Sequence, residues 1–177
     1  MKMSGSSSKE EQALIWDYYK PRHTHTWNML VLSWSELDQP NDETDIGFDI
    51  EYFWENFIIR LWIYRTTVQT LTKLAEVEDE AKTALDKFDS VFDADGRNGL
   101  KAIRDMIEHF DDYAAGKGHG PGNRASDLDP WRMISRDRYE RGQFVLHRKK
   151  SYEAAINLRS DAKRMSDKFI QWYKSSR

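Results

Sequence analysis

"FDIEYFWENFIIRLWIYRTTVQTL", residues 48–71, decides how this chain folds. Phe53, Phe57, Leu61, Tyr64, Val68 and Leu71 recur at steps of three and four, the spacing of one helix face. Trp54, Ile58 and Trp62 widen that stripe well beyond one side. A helix this apolar has to be buried on more than one face. The pattern predicts a helix over about 46–75, either the centre of a bundle or part of a dimer interface.

Shorter elements flank it. Residues 10–20 (EEQALIWDYYK) read as a short helix stopped by Pro21, which lacks an N–H and crowds the preceding turn. Residues 23–38 read as a second helix, with Leu30, Trp34 and Leu37 on one side. "DQPNDETD" (38–45) is dense in turn residues. Beyond the aromatic helix, residues 77–92 place Ala81, Leu85, Phe88 and Phe92 on one side of a further helix. "DADGRNG" (93–99) is a turn in which Gly96 and Gly99 permit positive φ. A helix over 99–115 follows, ended by "GKGHGPGN" (116–123).

The period then changes. "WRMIS" (131–135) and "QFVLH" (143–147) are β-compatible runs flanking "RDRYERG", with Gly142 at the second bend. They predict a hairpin over about 131–147, which must pack on the helices because two strands alone are marginal. Residues 151–174 form the last helix. Ser151 is its expected cap, Glu153 lies in its first turn, and Tyr152, Ala155, Ile156, Ala162, Met165, Phe169 and Tyr173 trace its buried face. The expected class is mainly α: a helical bundle with a small β-hairpin inserted before the C-terminal helix. Residues 1–10 read as a flexible tail and 11–177 as a single domain.

Composition narrows the chemistry. The chain has no cysteine, which removes disulfides, thiolate metal sites and cysteine catalysis and suits a reducing, cytoplasmic setting. Aromatic residues reach 13%, with seven tryptophans, which argues against long disorder. No apolar run approaches the roughly 18 residues needed to cross a bilayer, and "MKMSGSSSKEEQ" has no apolar segment of a secretory signal, so no membrane partner is expected. The net charge of −3 hides an asymmetry. Residues 1–116 carry 12 Lys and Arg against 23 Asp and Glu, a net −11. Residues 117–177 carry 15 against 7, a net +8. Either the halves attract one another, within the fold or across a dimer, or the basic half faces a polyanion.

"AIRDMIEHFDDY" (102–113) is the stretch richest in reactive side chains. On a helical wheel of about 100° per residue, Leu100, Ile103, Ile107, Phe110 and Ala114 fill one narrow sector. Arg104 lies about 80° from its centre, and His109 about 140° away on the other side, near Asp105, Asp112 and Tyr113. A solvated face is one reading: Arg104–Glu108 and Asp105–His109 are i,i+4 pairs. A metal reading is weaker: Asp105, His109, Asp112 and His119 offer carboxylate and imidazole ligands, but one histidine with flexible carboxylates makes a poor closed site. His23 and His25 in "HTHTW" diverge on a helix and read better as exposed polar residues. No glycine-rich phosphate loop follows a strand, and neither GxSxG nor HExxH occurs.

At "IRDMIEHFDDY" the sequence resembles the HEPN superfamily of small helical domains, whose motif is an arginine and a histidine with four to six residues between them. Arg104, Asp105 and His109 fit its shortest spacing, and Tyr113 lies one turn beyond. The resemblance implies a metal-independent endoribonuclease or RNA-binding protein, toxin or antiviral in role, acting as a homodimer and needing no cofactor. It assigns Arg104 to the scissile phosphate, His109 to proton transfer and Asp105 to orienting them. Such chemistry is coherent, because RNA brings its own 2′-OH nucleophile, a histidine titrates near neutrality, and an arginine stays charged and bidentate towards phosphate. Arg132, Arg136, Arg138, Arg141, Arg148, Lys149 and Lys150, interleaved with Trp131, Tyr139 and Phe144, then read as a surface for single-stranded RNA. The competing expectation is a non-catalytic helical module that binds a protein partner, such as an antitoxin, with the basic hairpin lying on the acidic helices 75–95.

Overall fold

The computed structural model describes residues 8–38, 46–94, 96–109 and 133–175. Five α-helices and two small antiparallel hairpins make up the described fold: α1 (Lys9–Asp38), α2 (Ile46–Gln69), α3 (Glu78–Ser90), β1 (Asp93–Ala94), β2 (Arg97–Asn98), α4 (Gly99–Glu108), β3 (Arg138–Arg141), β4 (Phe144–His147) and α5 (Arg148–Ser175). A 3-10 turn over Thr70–Lys73 continues α2. The expected class, a helical bundle with a hairpin before the last helix, is the class observed.

The aromatic helix is the centre of the bundle. Trp54, Phe57, Ile58, Leu61, Tyr64 and Val68 are fully buried, and α1, α3, α4 and α5 all pack on α2. The fold's own helices therefore cover it, and it is not free to be a dimer face. Along α2, only Tyr52 among the described residues is a strongly exposed large hydrophobe.

The first helix departs from expectation. Pro21 lies inside α1, a single helix of 30 residues. Pro21 and Asp17, four residues earlier, are both exposed, so water can reach the carbonyl that the proline leaves without a donor. On the opposite side Tyr19, Trp27, Leu30 and Leu37 continue one buried stripe across the proline. That burial outweighs a proline cost of about 3 kcal/mol. α1 also begins earlier than expected, at Lys9. The Ser8 hydroxyl accepts the Glu11 N–H at 3.2 Å, which caps the first turn.

The hairpin is real but shifted. Its first strand is "RYER", the segment read as a connection, and it pairs Arg138 with His147 through to Arg141 with Phe144. Gly142, at φ 57°, makes the turn. Alternation explains the choice: Tyr139 and Arg141 face inwards from one strand, Phe144 and Leu146 from the other. Ile134 makes a single bridge to Tyr139 and Met133 is exposed, so 133–135 is not a strand. The Trp54 indole N–H donates to the Ser135 carbonyl at 2.7 Å, which anchors this segment to the bundle centre.

α5 starts at Arg148, three residues before its expected cap. Ser151 is buried within the helix, and Ile156, expected on the buried face, is exposed. Arg148 is itself buried. Its guanidinium bonds Asp38 at the end of α1 and Asp137 before β3, and lies 5.2 Å from the Trp34 ring centre. One side chain thus joins α1, the hairpin and the start of α5. Truncation to Ala should lower unfolding free energy by about 3 kcal/mol in chemical denaturation, whereas Arg148→Met, which keeps the stem on Trp34, should cost about half as much.

Candidate active site on the fourth helix

α4 is placed by its start. The Asn98 side chain accepts the Lys101 N–H at 3.0 Å, the capping contact of the first turn. Gly99 donates its N–H to the Phe92 carbonyl at 2.8 Å. A Cβ at this glycine would stand 3.0 Å from that same oxygen and 3.2 Å from the Phe144 ring. The bare backbone therefore lets α4 approach both the end of α3 and the hairpin. Leu100, Ile103 and Met106 are buried and seat the helix against α2 and β4.

That seating fixes Arg104 on the flank. Its guanidinium carbon lies 5.0 Å from the Trp62 ring centre. Nη1 reaches Glu108 at 2.5 Å and Asp105 at 2.9 Å, with the side chain 17% exposed. Nε is buried and has no hydrogen-bond partner. Asp105 also accepts from the Lys101 ammonium at 2.8 Å, so Lys101, Arg104, Asp105 and Glu108 form one network. His109 closes α4: its N–H donates to the Asp105 carbonyl at 3.0 Å, and the residue is exposed.

The three motif residues thus share one short helix end. Arg104 and Asp105 meet directly, and His109 is tied to Asp105 through the backbone. Tyr113 and Arg132 lie outside the described residues, as do Phe110, Asp112, Ala114, His119 and Trp131.

The expected basic surface is smaller than its sequence suggests. Arg136 is half-buried and Lys149 exposed. Arg138 is exposed but pairs with Glu140. Arg148 is consumed in the junction described above, and Arg141 is buried with Nη1 donating to the Tyr139 hydroxyl at 3.4 Å. Tyr139 and Phe144 are buried in the core and are not stacking platforms. Burial, opposed by the Arg141 guanidinium and aided by the Glu55 and Glu51 carboxylates, pushes the Tyr139 hydroxyl up to about 12. The hairpin lies on α4 and α5 rather than on the acidic α3. Acidic α3 instead meets α5: Lys168 donates to Glu80 at 2.7 Å, and this bond holds the Glu80 carboxyl below its ordinary range.

Two features escaped the sequence reading. Trp62 was visible as a widening of the apolar stripe, but not as the shelf beneath Arg104. His23, expected in water, is partly buried with Nε2 3.0 Å from the Tyr64 hydroxyl, whereas His25 is exposed. The helical register separates the two histidines, as their spacing required.

Comparison with known protein families, characterised proteins and solved structures found no match to this chain. Among the described residues, no helix is long and apolar enough to cross a membrane.

Burial, with the Arg159 charge nearby, lowers the His23 pKa from 6.5 to about 4. The unfolded chain therefore binds a proton between those values that the folded chain refuses. The stability this histidine allows is complete above pH 6.5 and is lost as pH falls towards 4. Thermal melts across that window should show a steeper acid loss for wild type than for His23→Gln.

Proposed function

We propose that α4 carries the centre of a metal-independent endoribonuclease of the HEPN kind, with Arg104 as phosphate ligand, His109 as proton-transfer group and Asp105 as the residue that orients them. The observation that carries this reading is the state of Arg104. It lies over Trp62, its two anionic partners are neighbours on its own helix, and one buried donor is left over. An arginine so held is positioned for an anion before the anion arrives. Glu108, 39% exposed, can turn to solvent when a phosphate takes its place.

The chemistry follows from the groups. His109 accepts the proton of the 2′-OH, the resulting alkoxide attacks the adjacent phosphorus, and Arg104 stabilises the charge that builds on the phosphoryl oxygens. The 5′-oxygen leaves and takes up a proton, giving a 2′,3′-cyclic phosphate and a 5′-hydroxyl. About 140° separates Arg104 from His109 around one helix, which favours a site completed where two copies of α4 meet. The exposed side of α4 is the proposed dimer face, and the exposed cations Arg138 and Lys149 are proposed contacts for the RNA backbone.

A second reading, a non-catalytic interaction module, rests on α1. Leu14, Tyr18 and Leu32 are exposed at 72%, 59% and 57% and fall on one stripe of that helix. Incubation of mixed single-stranded RNA with the protein in EDTA separates the two. The ribonuclease reading expects cleavage by wild type and a loss of at least about 100-fold in His109→Ala and in Arg104→Gln. Inactivity of wild type on every RNA tried would leave the interaction module, and equal cleavage by all three proteins would place the activity elsewhere.

A further inference from the structure

A second polar site lies between α1 and α5, lined by no residue of α4. It is a cavity of about 290 Å³, on the scale of a small-ligand pocket. Three cations line it: Lys20 from α1, and Arg159 and Lys163 from α5. No carboxylate is among the residues lining it. In a chain with net charge −3, that concentration of one sign is notable for where it occurs.

The neighbouring cations of α5 behave differently. Arg164 and Lys168 are both paired, with Asp161 and with Glu80 and Glu76. None of Lys20, Arg159 and Lys163 has a carboxylate partner among the described residues. Nor is Arg159 a loose side chain: its guanidinium carbon sits 4.2 Å from the Trp27 ring centre, so one charge is held at the wall.

The remaining wall is aromatic and polar. Trp16, partly buried, lies against Tyr19 and Phe169 with centroids 5.6 and 5.2 Å away. Tyr19 is buried, and its hydroxyl has no hydrogen-bond partner. Ser166 is near, its own hydroxyl donating to the Ala162 carbonyl at 2.7 Å. His23, the neighbouring wall residue, is already engaged with Tyr64.

We propose that this cavity binds a small phosphate-bearing molecule of mononucleotide size, with its phosphate on Arg159 and Lys163 and its ring against Trp16. Cations without partners supply the charge, and the arginine plane supplies bidentate geometry. The ring adds apolar contact. None of the residues assigned to RNA cleavage takes part, so this site stands or falls separately.

Calorimetric titration of the full chain tests it, with adenosine 5′-monophosphate, adenosine and inorganic phosphate as probes. The nucleotide should bind with a Kd below about 1 mM, and at least about tenfold more tightly than either fragment. Arg159→Gln and Lys163→Gln, both at exposed positions and checked for an unchanged melting temperature, should each weaken it about tenfold. Lys87→Gln, on α3 away from the cavity, should not. Three results would overturn the proposal: no heat from the nucleotide at several times that concentration, phosphate alone binding as tightly as the nucleotide, or binding indifferent to both cavity substitutions.

Discussion

Everything in this molecule is arranged around the burial of α2. Six large side chains from Trp54 to Val68 are removed from water, each worth about 1.5–3 kcal/mol when buried. No single partner can cover a helix that is apolar on so many sides. α1, α3, α4 and α5 each take a share, and the hairpin is secured to its N-terminal part through Trp54 and Ser135. The same demand lets α1 run through Pro21, because a broken helix would leave part of α2 uncovered.

The candidate catalytic helix inherits its position from this core. Leu100, Ile103 and Met106 bury one side of α4, and Trp62 of α2 lies beneath the Arg104 guanidinium. Such a shelf does two things at once. It removes the rotamer freedom that a surface arginine would lose on binding an anion, and it shields part of the charge from water. The cost is an arginine partly occupied by Asp105 and Glu108, carboxylates that a phosphate bound there would have to replace. Part of the charge asymmetry of the sequence is met by comparable local arrangements, in which Lys168 meets Glu80 and Arg148 meets Asp38.

Helix identity was legible from sequence because the apolar period is strong in α2, α3 and α4. Places where tertiary structure outvoted local preference were not. Pro21 signalled an end, but its side of α1 faces water, so the helix runs through it from its cap at Ser8. In the hairpin, "WRMIS" had the stronger β composition. "RYER" forms the strand because its alternation turns Tyr139 inwards to pack beside Trp54, with centroids 5.8 Å apart. Ser151 had the chemistry of a cap, yet Arg148 begins the helix because its charge is needed at Asp38 and Asp137. The motif on α4 could be found from spacing alone. Its support by Trp62 could not, since 42 positions separate the two residues and only the fold brings them together.

The functional account depends on RNA supplying the attacking oxygen, with Arg104 and His109 acting on it and no metal required. Cleavage-site mapping on an RNA strand carrying a single 2′-deoxy nucleotide tests that dependence most directly. The account predicts that cleavage disappears on the 3′ side of the deoxy nucleotide and continues at the unmodified sites. Undiminished cleavage at the deoxy position would contradict it.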